Sequence, residues 1–365
     1  MNTKLLLVCL LCCFAVKGKS QHIITDSFSW IAADSQYVRH HKIHSWLLGS
    51  NYREVWATPV KTPWFTLQSA THHFKAIRTG GGLQTRSLHL VDKDGTEWVL
   101  RSVKKNPVSW LKPFWRKTFI RQIVNDQVSG SHPYAALVVP VLADALGIDH
   151  NNPQLVVIHD DTALGPFRSE FANRLCFLEE RNPKGKTIST EKLFSLRDSL
   201  PGILVDSIAF LKCRLLDIVI GDWDRHEDQY RWYNAAGDAG KFYYKPIPND
   251  RDQVFFNTGG LIPNLVRTFG FMKYLEGFNP HVKSVKGFMQ RGHHTDKKIL
   301  LSLNYTEWEK IAREVKGKLT DQLLEEALSH LPPETQNINP RLLQTMKTRR
   351  DDLPELAKRY YQSLQ

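Results

Sequence analysis

Apolar and polar positions along the chain repeat with two periods, and the change between them divides the sequence. Between residues 74 and 104 the period is two. Phe74-Lys75-Ala76-Ile77 leads to Gly80-Gly81-Gly82, and Ser87 to Val91 alternates with Leu88 and Leu90 on one face. Asp92-Lys93-Asp94-Gly95 is a hairpin turn signal, and Trp98-Val99-Leu100-Arg101-Ser102-Val103 returns as a strand. From 113 to 131 the period lengthens to that of a helix, with Phe114, Phe119, Ile123 and Val124 in a stripe and Arg116, Arg121 and Asp126 elsewhere. Ala135 to Leu146 reads as a second helix kinked by Pro140, and Leu155–Ile158 and Arg174–Leu178 read as strands. The clearest helix is predicted over 202–220, on Leu204, Ile208, Leu211, Leu215 and Val219, ending at Gly221. Phe242 to Pro248 reads as a strand. Residues 305–361 read as helical, with Thr306 and Glu309 as a capping box and Asn339-Pro340 as a helix start.

These elements predict an α+β chain of two lobes: a small antiparallel-sheet N-lobe and a larger helical C-lobe. The expected divisions are a signal peptide at 1–20, a packing segment at 21–73, an N-lobe with a Gly-rich turn at 74–181 and the helical C-lobe at 182–365. The packing segment holds Trp30, Trp46, Trp56 and Trp64, with Pro59 and Pro63 limiting any helix there.

Lys4 followed by the apolar run Leu5 to Val16 has the form of an export signal, and cleavage is expected after Ser20. That run is too short to span a bilayer, and no later stretch is apolar enough. The expected product is therefore exported, periplasmic or extracellular, without a transmembrane span. Removing residues 1–20 takes three lysines from a formal charge of +12 and leaves +9. A basic surface suits phosphate-bearing ligands. The basic residues form no tract or finger motif, so nucleic acid is not an expected partner. Outside the signal only Cys176 and Cys213 remain. Two buried thiols are the simpler reading, and a disulfide between them is the alternative.

Two loops carry the chemistry. Gly221-Asp222-Trp223-Asp224-Arg225-His226-Glu227-Asp228-Gln229 follows the clearest helix, and Asn249-Asp250-Arg251-Asp252 follows the strand ending at Pro248. Acids gathered twice, each at the end of an apolar element, suit metal binding and phosphoryl transfer. The competing account of the first loop is a buried salt-bridge network, Arg225 to Asp222 and His226 to Asp228. For Asp250 the competing account is a plain turn, and for Gly80, Gly81 and Gly82 a link between strands.

The layout resembles an atypical protein-kinase-like superfamily, with HipA-type toxin kinases and Fam20-type secreted kinases as the nearest comparison and CotH spore-coat kinases further off. The resemblance spans about 74–331, and its specific block is 215–256. The chain also resembles a bacterial envelope region found beside calcineurin-like phosphoesterase domains, although the metal signatures of that phosphoesterase are absent. The kinase resemblance implies that Asp224 orients or deprotonates an acceptor hydroxyl and that Asp250 chelates Mg²⁺ or Mn²⁺ on the phosphates of ATP or another nucleotide, with Asp252 as a second ligand. Gln229 stands where the family has a metal-binding Asn, with Asp228 beside it. Gly80, Gly81 and Gly82 match a phosphate-covering loop. Arg101 stands where the family has a phosphate-pairing Lys. Lys104, on the other strand face, is its alternative, and Asp126 is the candidate acid on the following helix.

The expectation is thus metal-dependent phosphoryl transfer from a nucleotide to an unknown hydroxyl acceptor. A non-catalytic, pseudokinase-like binding module serving an envelope phosphoesterase partner is one alternative. A metal-dependent phosphoester hydrolase is the other.

Overall fold

The computed structural model describes residues 27–38, 42–69, 72–80, 85–105, 126–235, 242–268 and 276–365. The expected signal peptide, Gly81, Gly82 and most of the helix expected at 113–131 lie outside these residues.

Seven strands form the larger sheet: β1 (Phe28–Ala32), β2 (Pro59–Phe65), β3 (Phe74–Gly80), β4 (Ser87–Asp92), β5 (Glu97–Ser102), β6 (Gln154–Ile158) and β7 (Leu175–Glu180). Their order is β1-β2-β6-β7-β5-β4-β3. All neighbours are antiparallel except β2 and β6. The expected β4–β5 hairpin is present. The Asp92 carboxylate accepts the amides of Asp94 and Thr96, and Gly95 takes the positive φ that the turn requires. Alternation along these strands separates two cores. Leu88, Leu90, Leu100, Val156 and Leu178 pack on one face beneath Leu164 and Phe171. Val103, Val157 and Leu175 lie on the other face and join the main core. The 21–73 segment therefore does more than pack against a small sheet, since β1 and β2 extend that sheet through the β2–β6 pairing.

A second sheet, ordered β8-β10-β11-β9, holds β8 (Thr187–Ser189), β9 (Ile203–Val205), β10 (Tyr230–Asn234) and β11 (Phe242–Pro248). Helices α1 (Lys42–Leu48) and α2 (Arg53–Ala57) precede β2, α3 (Val139–Leu146) precedes β6, and α4 (Arg168–Phe171) precedes β7. Helix α5 (Thr190–Ser199) follows β8, and α6 (Ser207–Ile220) follows β9. After β11 come α7 (Leu261–Thr268), α8 (Val285–Phe288), α9 (His293–Leu300), α10 (Tyr305–Lys318), α11 (Asp321–Ser329), α12 (Asn339–Asp351) and α13 (Leu353–Leu364). The chain is thus mixed α and β, with a multistranded sheet and a helical C-terminal part.

Three local expectations need correction. Pro140 sits at the first turn of α3, where its missing N–H costs nothing, so it starts that helix and does not kink it. The helix expected from 202 begins at Ser207, because Asp206 caps it by accepting the Ala209 amide. Leu204 belongs to β9 and is exposed. The capping box of α10 is Asn304 with Glu307, two residues earlier than Thr306 with Glu309. Helix α6 is the centre of the molecule: ten of its residues are buried, and it packs against α3, α9, α10, α12 and α13. Both thiols are buried and free, and burial pushes each up to about 12.

Candidate functional site

Helix α6 delivers the first acidic loop. Gly221 ends it at φ 72°, with its amide bonded to the Asp217 carbonyl. A Cβ there would come within 2.5 Å of the Phe278 ring, so the position needs glycine on two counts. The acids that follow then separate. Asp222 is fully buried and accepts from Arg251 Nη1 at 2.8 Å, with Arg225 Nη1 at 3.5 Å. Burial raises its pKa to about 6 against the pull of both guanidiniums. Asp222 is therefore structural. Asp217, one turn earlier, bonds the same Arg251 and also Arg214 at 2.8 Å. Arg225 donates to the carbonyls of Asn249 at 2.8 Å and Gln229 at 3.0 Å, and the Asn249 amide returns to the Gln229 carbonyl. These bonds join the two acidic loops.

Asp224 is partly buried and takes an ion pair from Arg291 Nε at 3.0 Å. Asp228 is exposed, 3.7 Å from His226. Gln229 is buried, with its amide nitrogen 3.2 Å from His226 Nε2. The Arg225–Asp222 and His226–Asp228 pairs of the salt-bridge account are thus both present, the second only at long range.

The second loop turns its carboxylates elsewhere. Asp250 takes φ 54°, a left-handed conformation that Asp tolerates better than most residues. Arg251 points inward to Asp217 and Asp222, while Asp250 and Asp252 line a cleft against the seven-stranded sheet. From β5, Arg101 reaches Glu179 of β7 at 3.2 Å and Asp250 at 3.9 Å. Just past β5, Lys105 reaches the Asp252 carboxylate at 2.8 Å and Ser131 Oγ at 3.3 Å. Burial and the neighbouring Asp252 raise the Asp250 pKa above the ordinary carboxylate range, although Arg101 and Lys105 oppose them. Burial also pushes Asp252 up, but the charge and hydrogen bond of Lys105 outweigh it and hold that carboxyl low. Gly80 pairs with Ser87 and Ser87 with Arg101, so the visible end of the Gly-rich turn shares one row of the sheet with the arginine.

Of the residues expected from sequence, Arg101, Asp250 and Asp252 line this cleft, whereas Asp224, Asp228 and Gln229 do not. Asp126 is not the partner of Arg101; it is bonded by Arg53, and Glu179 takes its place. Lys104 pairs with Asp34. Sequence reasoning missed Lys105, Glu179 and His132. Only Glu179 left a trace, as an acid two residues beyond Phe177 on an alternating strand.

Among the described residues no three His, Cys, Asp or Glu side chains gather as a metal-ligand set. Asp250 and Asp252 fit a hard divalent cation that brings phosphate oxygens with it, since Mg²⁺ is commonly held by one or two carboxylates plus substrate phosphates. They do not form a protein-only cage. No helix among the described residues is long and apolar enough to cross a membrane. No family model, no curated protein and no solved structure matches the chain.

Proposed function

We propose that the chain is a kinase-like protein that transfers a phosphoryl group, with a divalent metal, from a nucleotide to a hydroxyl acceptor. One observation carries the reading: Arg101 and Lys105 meet Asp250 and Asp252 in a single cleft, on the sheet row where the Gly-rich turn begins. Protein kinases place a Gly-rich loop over the phosphates, a basic residue on the third strand and a metal-holding Asp in a later loop. Strands β3, β4 and β5 follow that order, with Gly80 before the first turn and Arg101 on the third strand.

In this reading Arg101 and Lys105 neutralise phosphate oxygens, and Arg can do so bidentately. Asp250 and Asp252 would hold Mg²⁺ or Mn²⁺, which would draw charge from the phosphates. Asp228 and Gln229 drop out of the metal set, because neither lines the cleft. Asp224 lies outside the lining as well and is paired with Arg291; in this reading that pair opens so that Asp224 positions the acceptor hydroxyl. Such catalysis is mainly alignment and charge neutralisation.

The Arg291–Asp224 ion pair favours a second reading, a module that binds nucleotide without transferring phosphate. Turnover of ATP with Mg²⁺ or Mn²⁺, followed as ADP and labelled acceptor, separates the two. Phosphotransfer predicts turnover in the wild type and a fall of at least about a hundredfold in D250N and D224N. Binding without turnover in all three proteins would support the binding module. ATP hydrolysis without labelled product would support a hydrolase.

A further inference from the structure

Two short helices present large apolar side chains to solvent. Helix α1 exposes Ile43 and Trp46, one turn apart, at 71% and 64%. Helix α7 exposes Leu261 and Leu265, also one turn apart, at 40% and 45%. The two helices pack on each other, and Trp46 and Leu261 line the same groove, so the two stripes meet in one face. Their junction is fixed. Asn51 Oδ1 accepts the Gly259 amide at 3.1 Å, and its Nδ2 donates to the Leu48 carbonyl at 3.3 Å. Gly260, at φ 93°, lies so close to Gly49 that a Cβ would come within 2.4 Å of the Gly49 nitrogen. The groove is open, measures about 780 Å³ and is also lined by Asn257, Asn279, Lys283 and Arg341, with no carboxylate. Lys283 and Arg341 are exposed and form no ion pair among the described residues. The acid that precedes Lys283, Glu276, is buried and occupied by the amides of Lys283 and Ser284. The sequence carries no Asp or Glu from 36 to 53 or from 253 to 275.

Apolar side chains gathered on an exposed face mark a docking surface, and charge selects what docks there. A second copy of the chain would bring the same cations to the contact, and like charges would oppose it. A negatively charged lipid surface brings the charge that this face lacks. Trp and aliphatic side chains settle at the boundary between headgroups and acyl chains, and each Lys or Arg near an anionic bilayer adds to the attraction. We infer that the α1–α7 face docks on an anionic phospholipid bilayer. Ile43, Trp46, Leu261 and Leu265 enter the headgroup boundary, and Lys283 and Arg341 meet lipid phosphates at the groove. The groove shares no lining residue with the cleft of Arg101 and Asp250, so this attachment does not depend on the nucleotide reading.

The test is co-sedimentation of residues 21–365, which include every described element, with two kinds of vesicle: phosphatidylcholine alone, and phosphatidylcholine mixed with phosphatidylglycerol. The apolar run Leu5 to Val16 is left out because it would itself enter lipid. Binding should be about tenfold or more stronger to the mixed vesicles and should weaken as salt is raised. W46A should lower that affinity about tenfold, the scale of losing one large apolar side chain from the boundary. K283Q and R341Q should each lower it about fivefold, the effect of one cation near an anionic surface. All three positions are exposed, and L265S, exposed as well, serves where W46A fails to fold. No binding to the mixed vesicles, equal binding to both kinds, or binding that all these substitutions leave unchanged overturns the inference. Self-association without lipid, abolished by W46A, would assign the face to a second copy and overturns it too.

Discussion

Gly221 and Asp250 both take a left-handed backbone, and their reasons differ. At Gly221 the conformation ends α6, and the Phe278 ring occupies the space a side chain would need. G221A should therefore cost about 2–4 kcal/mol, the sum of left-handed strain and overpacking, read from the urea midpoint. His132 supplies a pH prediction. Its folded pKa, near 3, is depressed below the unfolded value of about 6.5. Below that unfolded value the unfolded chain binds a proton that the folded chain refuses. The stabilisation is therefore complete above about pH 6.5 and is lost progressively as the pH falls toward 3. Between pH 6.5 and 5 the loss attributable to this residue should be on the order of 2 kcal/mol. H132F should flatten that part of the stability–pH curve, and an unchanged slope would mean that the ring titrates normally. Arg101, Asp250 and Asp252 were legible in the sequence, because element ends and strand alternation place them. Lys105 was not: alternation sets Lys104 on the face away from Arg101, but β5 ends at Ser102, so it does not carry Lys105 to the cleft.

At the scale of elements, α6 was legible from its apolar stripe, but its start was not. Leu204 fits the helical period by coincidence of spacing, and the Asp206 cap decides the boundary. The stripe also conceals a polar interior. Arg214 is buried and donates twice to Asp296 of α9, at 2.9 and 3.0 Å, while Tyr360 of α13 donates to the same carboxylate. Three helices therefore share one charge cluster. D296A would leave Arg214 buried with only Asp217 to balance it, and should cost about 3–5 kcal/mol in chemical unfolding. A loss below about 1 kcal/mol would show that the helices are held by apolar packing alone. The capping box shifted from Thr306 to Asn304 for a similar reason: two sequence patterns overlap there, and only the chain path selects one.

At the scale of the molecule, the α+β character and the helical C-terminal part followed from the two periodicities. That β1 and β2 would enlarge the sheet did not, since a parallel β2–β6 pairing joins residues nearly a hundred positions apart and leaves no local signal. The cleft is likewise a long-range product, made where β5 and β7 meet the loop after β11. It sets Asp250, Asp252 and Glu179 against Arg101 and Lys105, and burial, with Asp252 beside it, raises the Asp250 pKa, so its charge destabilises the unliganded fold at neutral pH. D250N should then raise the unliganded melting temperature by roughly 1–2 °C, as residues kept for a ligand at a cost in stability do. The central claim is that this cleft holds a metal–nucleotide, and thermal unfolding of residues 21–365 with and without Mg²⁺–ATP, beside D250N, tests it most directly. The account predicts that wild type gains about 2.7 kcal/mol at a hundredfold excess over Kd, only when metal is present, while D250N starts higher and gains nothing. No metal-dependent gain in the wild type, or an equal gain in D250N, would contradict it.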